Sequence, residues 1–114
     1  MRKTLSRVAV VVSIALLGGC GTPKPRVPSL TPEGANELLH YSAKAETWMI
    51  HVRKQDPSCE YRLDLPDQTS QPTTIDLDHI VYCGNRPSSK EFDAAVSFAY
   101  DPQAQKWVIT RFQS

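Results

Sequence analysis

At Asp56-Pro57 the hydrophobic period of this 114-residue chain changes, and the change dictates a fold class. Upstream the spacing is helical. At 100° per residue, Ala35, Leu38, Leu39, Tyr41, Ala45, Trp48, Met49 and Val52 share one broad arc, with Asn36, His40, Lys44, Thr47 and His51 opposite. Thr31-Pro32-Glu33 has the chemistry of a helix start: a hydroxyl cap, proline at the first position and an acid near the positive end of the dipole. Arg53-Lys54 suit the carbonyl end, and Asp56-Pro57 stops the helix. Downstream the period falls to two. Cys59, Tyr61, Leu63 and Leu65 alternate with Glu60, Arg62 and Asp64, and Ile75, Leu77, Val81 and Cys83 alternate with Asp76, Asp78, Ile80 and Tyr82. After the polar loop 84–90, Phe92, Ala94, Val96, Phe98 and Tyr100 form a third alternating run, and Asp101-Pro102 turns the chain into a fourth, residues 106–112. The connections are of hairpin length with no parallel crossover. The pattern predicts an α+β domain in which one N-terminal helix packs on a four-stranded antiparallel meander, in the order α-β-β-β-β.

This layout, ending in Trp107-Val-Ile-Thr-Arg-Phe112, resembles the small helix-plus-curved-sheet domains of the cystatin-like and NTF2-like group. The resemblance is architectural, covers roughly residues 31–113 and matches no motif, so it implies a fold and carries no function.

The N-terminus has the three parts of an export signal: the cations Arg2, Lys3 and Arg7, an apolar run from Val8 to Leu17, and small residues before Cys20. As a helix the run is about 15 Å long, roughly half the hydrocarbon thickness, so it cannot span a membrane unaided. Leu17-Gly18-Gly19-Cys20 resembles the lipobox of bacterial lipoproteins. That resemblance implies removal of residues 1–19, a diacylglyceryl group on the Cys20 sulfur and often an acyl chain such as palmitate on its amine. Two or three chains exceed what stable anchoring needs. Gly21 in place of Asp implies, by the enterobacterial sorting pattern, the outer membrane facing the periplasm. The expected organisation is a cleaved signal (1–19), a lipid-anchored tether (20–30) with prolines at 23, 25 and 28, and a domain (31–114). Proline at that density favours an extended spacer of about 3.1 Å per residue.

Lipidation of Cys20 leaves Cys59 and Cys83 as a pair in a compartment where disulfides persist, and a bridge is expected. One register then satisfies both bridge and alternation. With Cys59 opposite Cys83, Tyr61 faces Val81, Leu63 faces His79 and Leu65 faces Leu77.

Loss of the signal takes the balance from 13 Lys+Arg to 10, against 12 Asp+Glu, which disfavours a nucleic-acid partner or a polybasic membrane patch. No cofactor, metal or catalytic set is expected. His40 and His51 stand too far apart along a helix to share an ion. Asp76-Leu-Asp78-His79 looks like an acid-base cluster, but the pleat sends both carboxylates to one face and His79 to the other. Ser88-Ser89 has no glycine elbow around it.

One surface has the composition of a partner site. With Tyr100 opposite Lys106, Val108 and Phe112 turn inward, and Trp107, Ile109 and Arg111 join Arg62, Ile80 and Tyr82 on the outer sheet face, an aromatic and arginine set typical of binding hot spots. A register shift, or a covering loop, would instead bury Trp107. The sequence thus points to a noncatalytic envelope lipoprotein that binds another protein or serves as an assembly accessory. A small-ligand carrier with a pocket between helix and sheet is the alternative, and a periplasmic enzyme the third reading.

Overall fold

A computed structural model describes residues 26–114, so the expected signal, the lipobox-like stretch with Cys20 and the expected tether through Pro25 lie outside the described residues. Two helices replace the single one expected: α1 (Pro32–His40) and α2 (Ala43–Gln55). Thr31 caps α1 as its chemistry requires, its hydroxyl accepting from the Gly34 N–H at 3.0 Å. The break comes from Ser42. Its extended backbone and its side-chain oxygen, accepting from the Ala45 N–H at 3.3 Å, make it the cap of a second helix. The helical phase is reset there, and Tyr41, assigned to the apolar arc, is 78% exposed. Ala35 and Leu39 of α1 and Ala45, Met49 and Val52 of α2 remain buried.

The strands are β1 (Cys59–Tyr61), β2 (Thr74–Leu77), β3 (Val81–Cys83), β4 (Arg86–Pro87), β5 (Ala95–Asp101) and β6 (Lys106–Gln113). They form two three-stranded antiparallel sheets, ordered β1-β3-β4 and β2-β5-β6. The fold is α+β with a Cys59–Cys83 disulfide, but it is not a four-stranded meander. The reason lies in residues 75–83, which are not one strand. The chain bends at 78–79, so β2 pairs with β5 through Ile75↔Phe98 and Leu77↔Val96, while β3 pairs with β1. Cys59↔Cys83 and Tyr61↔Val81 stand as expected, whereas Leu63 does not face His79, nor Leu65 Leu77.

Asp93 secures the crossing between sheets. Its Oδ1 accepts from the backbone N–H of Ile80, Val81 and Ala94 at 3.2, 3.3 and 2.8 Å, and the Ile80 N–H also reaches the Ala94 carbonyl at 3.1 Å. Alternation fails at this switch, because Ile80 and Val81 are consecutive and both buried. Ile80, assigned to the outer face, is core at 0% exposure.

The β5–β6 hairpin also departs from the expected register. Asp101 faces Lys106 and Tyr100 faces Trp107, one residue off, with Gln105 in the left-handed region (φ 55°) closing the turn. A one-residue slip exchanges faces. Trp107 and Ile109 therefore lie on the core side with Tyr100 and Phe98, and Val108 turns outward. Within the hairpin the register shifts between Ser97 and Phe98, where Thr110 is the extra residue of a bulge, and this returns Phe112 inward opposite Val96.

Residues 26–30, the end of the stretch expected to be a lipid-anchored tether (20–30), lie against the domain as a strap. Leu30 is buried. The Gln68 side chain holds both its N–H (2.8 Å) and its carbonyl (2.9 Å), and Gln71 Oε1 accepts from the Val27 N–H at 3.2 Å. Trp107, 7% exposed, donates its indole N–H to the Pro28 carbonyl at 2.9 Å.

Candidate functional site

Residues 62, 80, 82, 107, 109 and 111 do not assemble into one surface. Ile80 and Trp107 are core, and Ile109 packs half-buried against it. Arg62 and Tyr82 do meet, the guanidinium carbon 4.6 Å from the ring centroid, and the Tyr82 hydroxyl donates to Asp64 Oδ2 at 3.2 Å. Arg111 lies on the other sheet, on the face away from the core, donating to Ser97 Oγ at 3.2 Å and to Gln113 Oε1 at 2.6 Å. The cause is the hairpin register, which turns Trp107 and Ile109 inward while the bulge leaves Arg111 outside.

The Asp76, Asp78 and His79 cluster is likewise dispersed. Asp76 faces Ser97 on the outer side of β2, and His79 is 75% exposed, so it does not take the inward position opposite Leu63 expected for it. Its Nδ1 lies 2.5 Å from Asp93 Oδ2, a partner that no local spacing signals. Asp93 is occupied by three backbone amides as well, which makes the pair a brace for the strand switch. Asp56 stands close to Cys59 and Cys83, but sulfurs bonded to each other offer no thiolate to a metal. The Ser58 hydroxyl and amide donate to Asp56 and hold its carboxyl below the ordinary carboxylate range.

The concave feature with an apolar floor is a groove of about 750 Å³ between α2 and the far end of β6. Ala43, Lys44, Thr47, Trp48 and His51 form its helical wall, and Phe112, Gln113 and Ser114 form its strand wall. Its floor is fixed by bonds that reach across the fold. The Trp48 indole N–H donates to the Phe92 carbonyl at 3.0 Å, and the His51 ring lies 5.1 Å from the Trp48 ring. Phe112 stands edge-on to Tyr61 at 6.1 Å, and the Tyr61 hydroxyl donates to the Ala45 carbonyl at 2.6 Å, tying β1 to α2 beneath the groove. Burial, with Glu46 adding to it, pushes the Tyr61 phenol above its ordinary range and keeps that donor proton in place.

Sequence reasoning assigned Trp48 to the core and Lys44, Thr47 and His51 to a solvated arc. The groove lies on the seam between those arcs, where the half-buried Trp48 borders Lys44 and His51. The i, i+3 pair Trp48 and His51 was the one local signal for it. Phe112 joins it only because the bulge at Thr110 turns it inward. Compared with protein-family models, with curated proteins and with solved structures, the chain matches none of them.

Proposed function

We propose that this chain is a noncatalytic lipoprotein of the bacterial cell envelope, held in the outer membrane by lipid on Cys20, whose domain binds another protein in the groove between α2 and β6. The lipobox-like Leu17-Gly18-Gly19-Cys20 supports the anchor, and the disulfide is consistent with a compartment outside the cytosol. The observation that carries the binding role is the groove itself: an apolar floor held by Trp48 and Phe112 and left open to solvent. Rigid aromatic floors of this kind anchor partner side chains at little entropic cost.

The position of the groove also supports this reading. The strap meets the sheet at Trp107, near the start of β6, and the groove lies at Phe112, five residues on, or about 17 Å along a strand. Gly21 to Pro25 reach at most about 17 Å, so the strap end of the domain stays close to the lipid and the groove is presented away from it.

Photo-crosslinking tests the proposal in cells. A benzophenone amino acid at Thr47 is expected to give a discrete protein adduct that weakens in the Lys44→Glu background, and none from a probe at the distant, exposed Gln103. Equal adducts from both positions would remove the groove from the proposal. The groove volume also falls within the range of small-molecule sites, about 300–1,000 Å³, which favours the carrier as a second reading. In that case the Thr47 adduct would carry a few hundred daltons and no polypeptide.

A further inference from the structure

Among the described residues, the sheet that carries the groove ends on the edge strand β6. β6 pairs with β5 on one side, and among the described residues no strand lies on the other. Such an edge presents backbone N–H and C=O groups that can template another strand. Lys106 and the bulge at Thr110 blunt most of this edge, because charge and irregularity both discourage pairing. The regular part is residues 111–113, and Phe112 and Gln113 there also form the strand wall of the groove.

An extended chain laid along that wall would bond its main chain to β6. Alternate side chains would fall on the Trp48 and Phe112 floor, since neighbouring residues of a strand point to opposite faces. The charges select among such chains. Arg111 stands exposed on the face of this edge opposite the groove, and the groove itself is lined by Lys44 with no Asp or Glu among its lining residues. Asp76 lies two strands away across the sheet. We propose that the groove captures an extended segment of another protein by strand addition to residues 111–113. The captured segment carries aliphatic residues at alternate positions, facing the floor, and carboxylates between them, facing Arg111. This rests on the reading of the domain as a protein binder and specifies what that partner offers.

The test uses the lipidated full chain in phosphatidylcholine nanodiscs and a fluorescein-labelled heptapeptide alternating valine with glutamate. Binding is expected to slow amide hydrogen exchange at Arg111 to Gln113. It should weaken about tenfold or more when the peptide is N-methylated at the amides that face the edge, since each main-chain bond lost is worth a few-fold in affinity. The Arg111→Glu protein should bind about tenfold less tightly, and a valine-lysine peptide should bind wild type poorly. Four results would overturn strand addition: no binding of the valine-glutamate peptide, equal binding of its N-methylated form, displacement by myristate without exchange protection at the edge, or protection that grows with protein concentration alone, which marks a second copy as the occupant. A polypeptide adduct from Thr47 in cells combined with any of these would leave partner binding standing and remove only its mode. Absence of both would remove the two together.

Discussion

Trp107 illustrates how much a single side chain's position decides in this fold. Read one residue out of register it is the centre of a surface patch, whereas here it is buried, edge-on to Tyr100 at 5.8 Å and bonded to the strap through Pro28. Trp107→Ala should therefore cost about 3–5 kcal/mol, and Trp107→Phe about 1 kcal/mol through the indole bond alone, both read from denaturant midpoints. A neutral Trp107→Ala would contradict its burial. Tyr61 gives a test in pH. Burial raises its pKa above the 10.0 of a free phenol, so the unfolded chain loses this proton at lower pH than the native one. The contribution to stability is complete below about pH 10 and declines as pH rises beyond it, because the unfolded state then binds fewer protons. The melting temperature should fall more steeply above pH 10 in wild type than in Tyr61→Phe, and parallel curves would show that Tyr61 titrates normally.

Among the elements, β1 and β3 are held by both a ladder and a covalent bond. The Cys59–Cys83 bridge closes a separation of 24 residues, and in the chain-entropy model its removal costs about 3.5 kcal/mol. The Cys59→Ser, Cys83→Ser double variant should lose most of that in chemical denaturation, and an unchanged midpoint would refute it. Between α1 and α2 the Ser42 hydroxyl does what a turn usually does, satisfying an orphan N–H while the backbone is extended. Ser42→Ala should destabilise by about 1 kcal/mol, and Ser42→Asp, which restores an acceptor, should recover it. If Ser42→Ala instead gained helicity by circular dichroism, the two helices would have fused and the cap would have been what kept them apart.

The described domain is organised from one pole to the other, with the strap bonded near the start of β6 and the groove at its far end; the proposed lipid anchor on Cys20 is tested on the whole molecule. Cys20→Ser protein should leave washed membranes for the soluble fraction, and quantitative retention would overturn the lipid anchor. Gln68→Ala with Gln71→Ala removes the side-chain bonds to Val27 and Leu30. That variant should be cleaved faster by trypsin at Arg26 with the domain otherwise intact, and unchanged cleavage would mean that Leu30 and Trp107 hold the strap unaided.

Local chemistry was enough to determine several features of this protein. The Thr31 cap, the helix stop at Asp56, the alternation from Ala94 through Tyr100 and the Cys59 and Cys83 register all follow from interactions within a few residues, or from a pattern that one pairing satisfies. The sequence also carried the signal that Ser42 begins a new helix, though apolar spacing continuing through Tyr41 masked it. Tertiary structure decided the rest. The run from Ile75 to Cys83 divides between two sheets because Asp93, distant in sequence, gathers the amides of the crossing, and no periodicity records a partner so far along the chain. The face of Trp107 turned on one residue in the hairpin turn, and that of Phe112 on one residue in the bulge, each of which exchanges the faces of the strand beyond it at little local cost. The groove came last. It exists only where α2, packed on β1 through Tyr61, meets the end of a strand whose final residues follow a change of register.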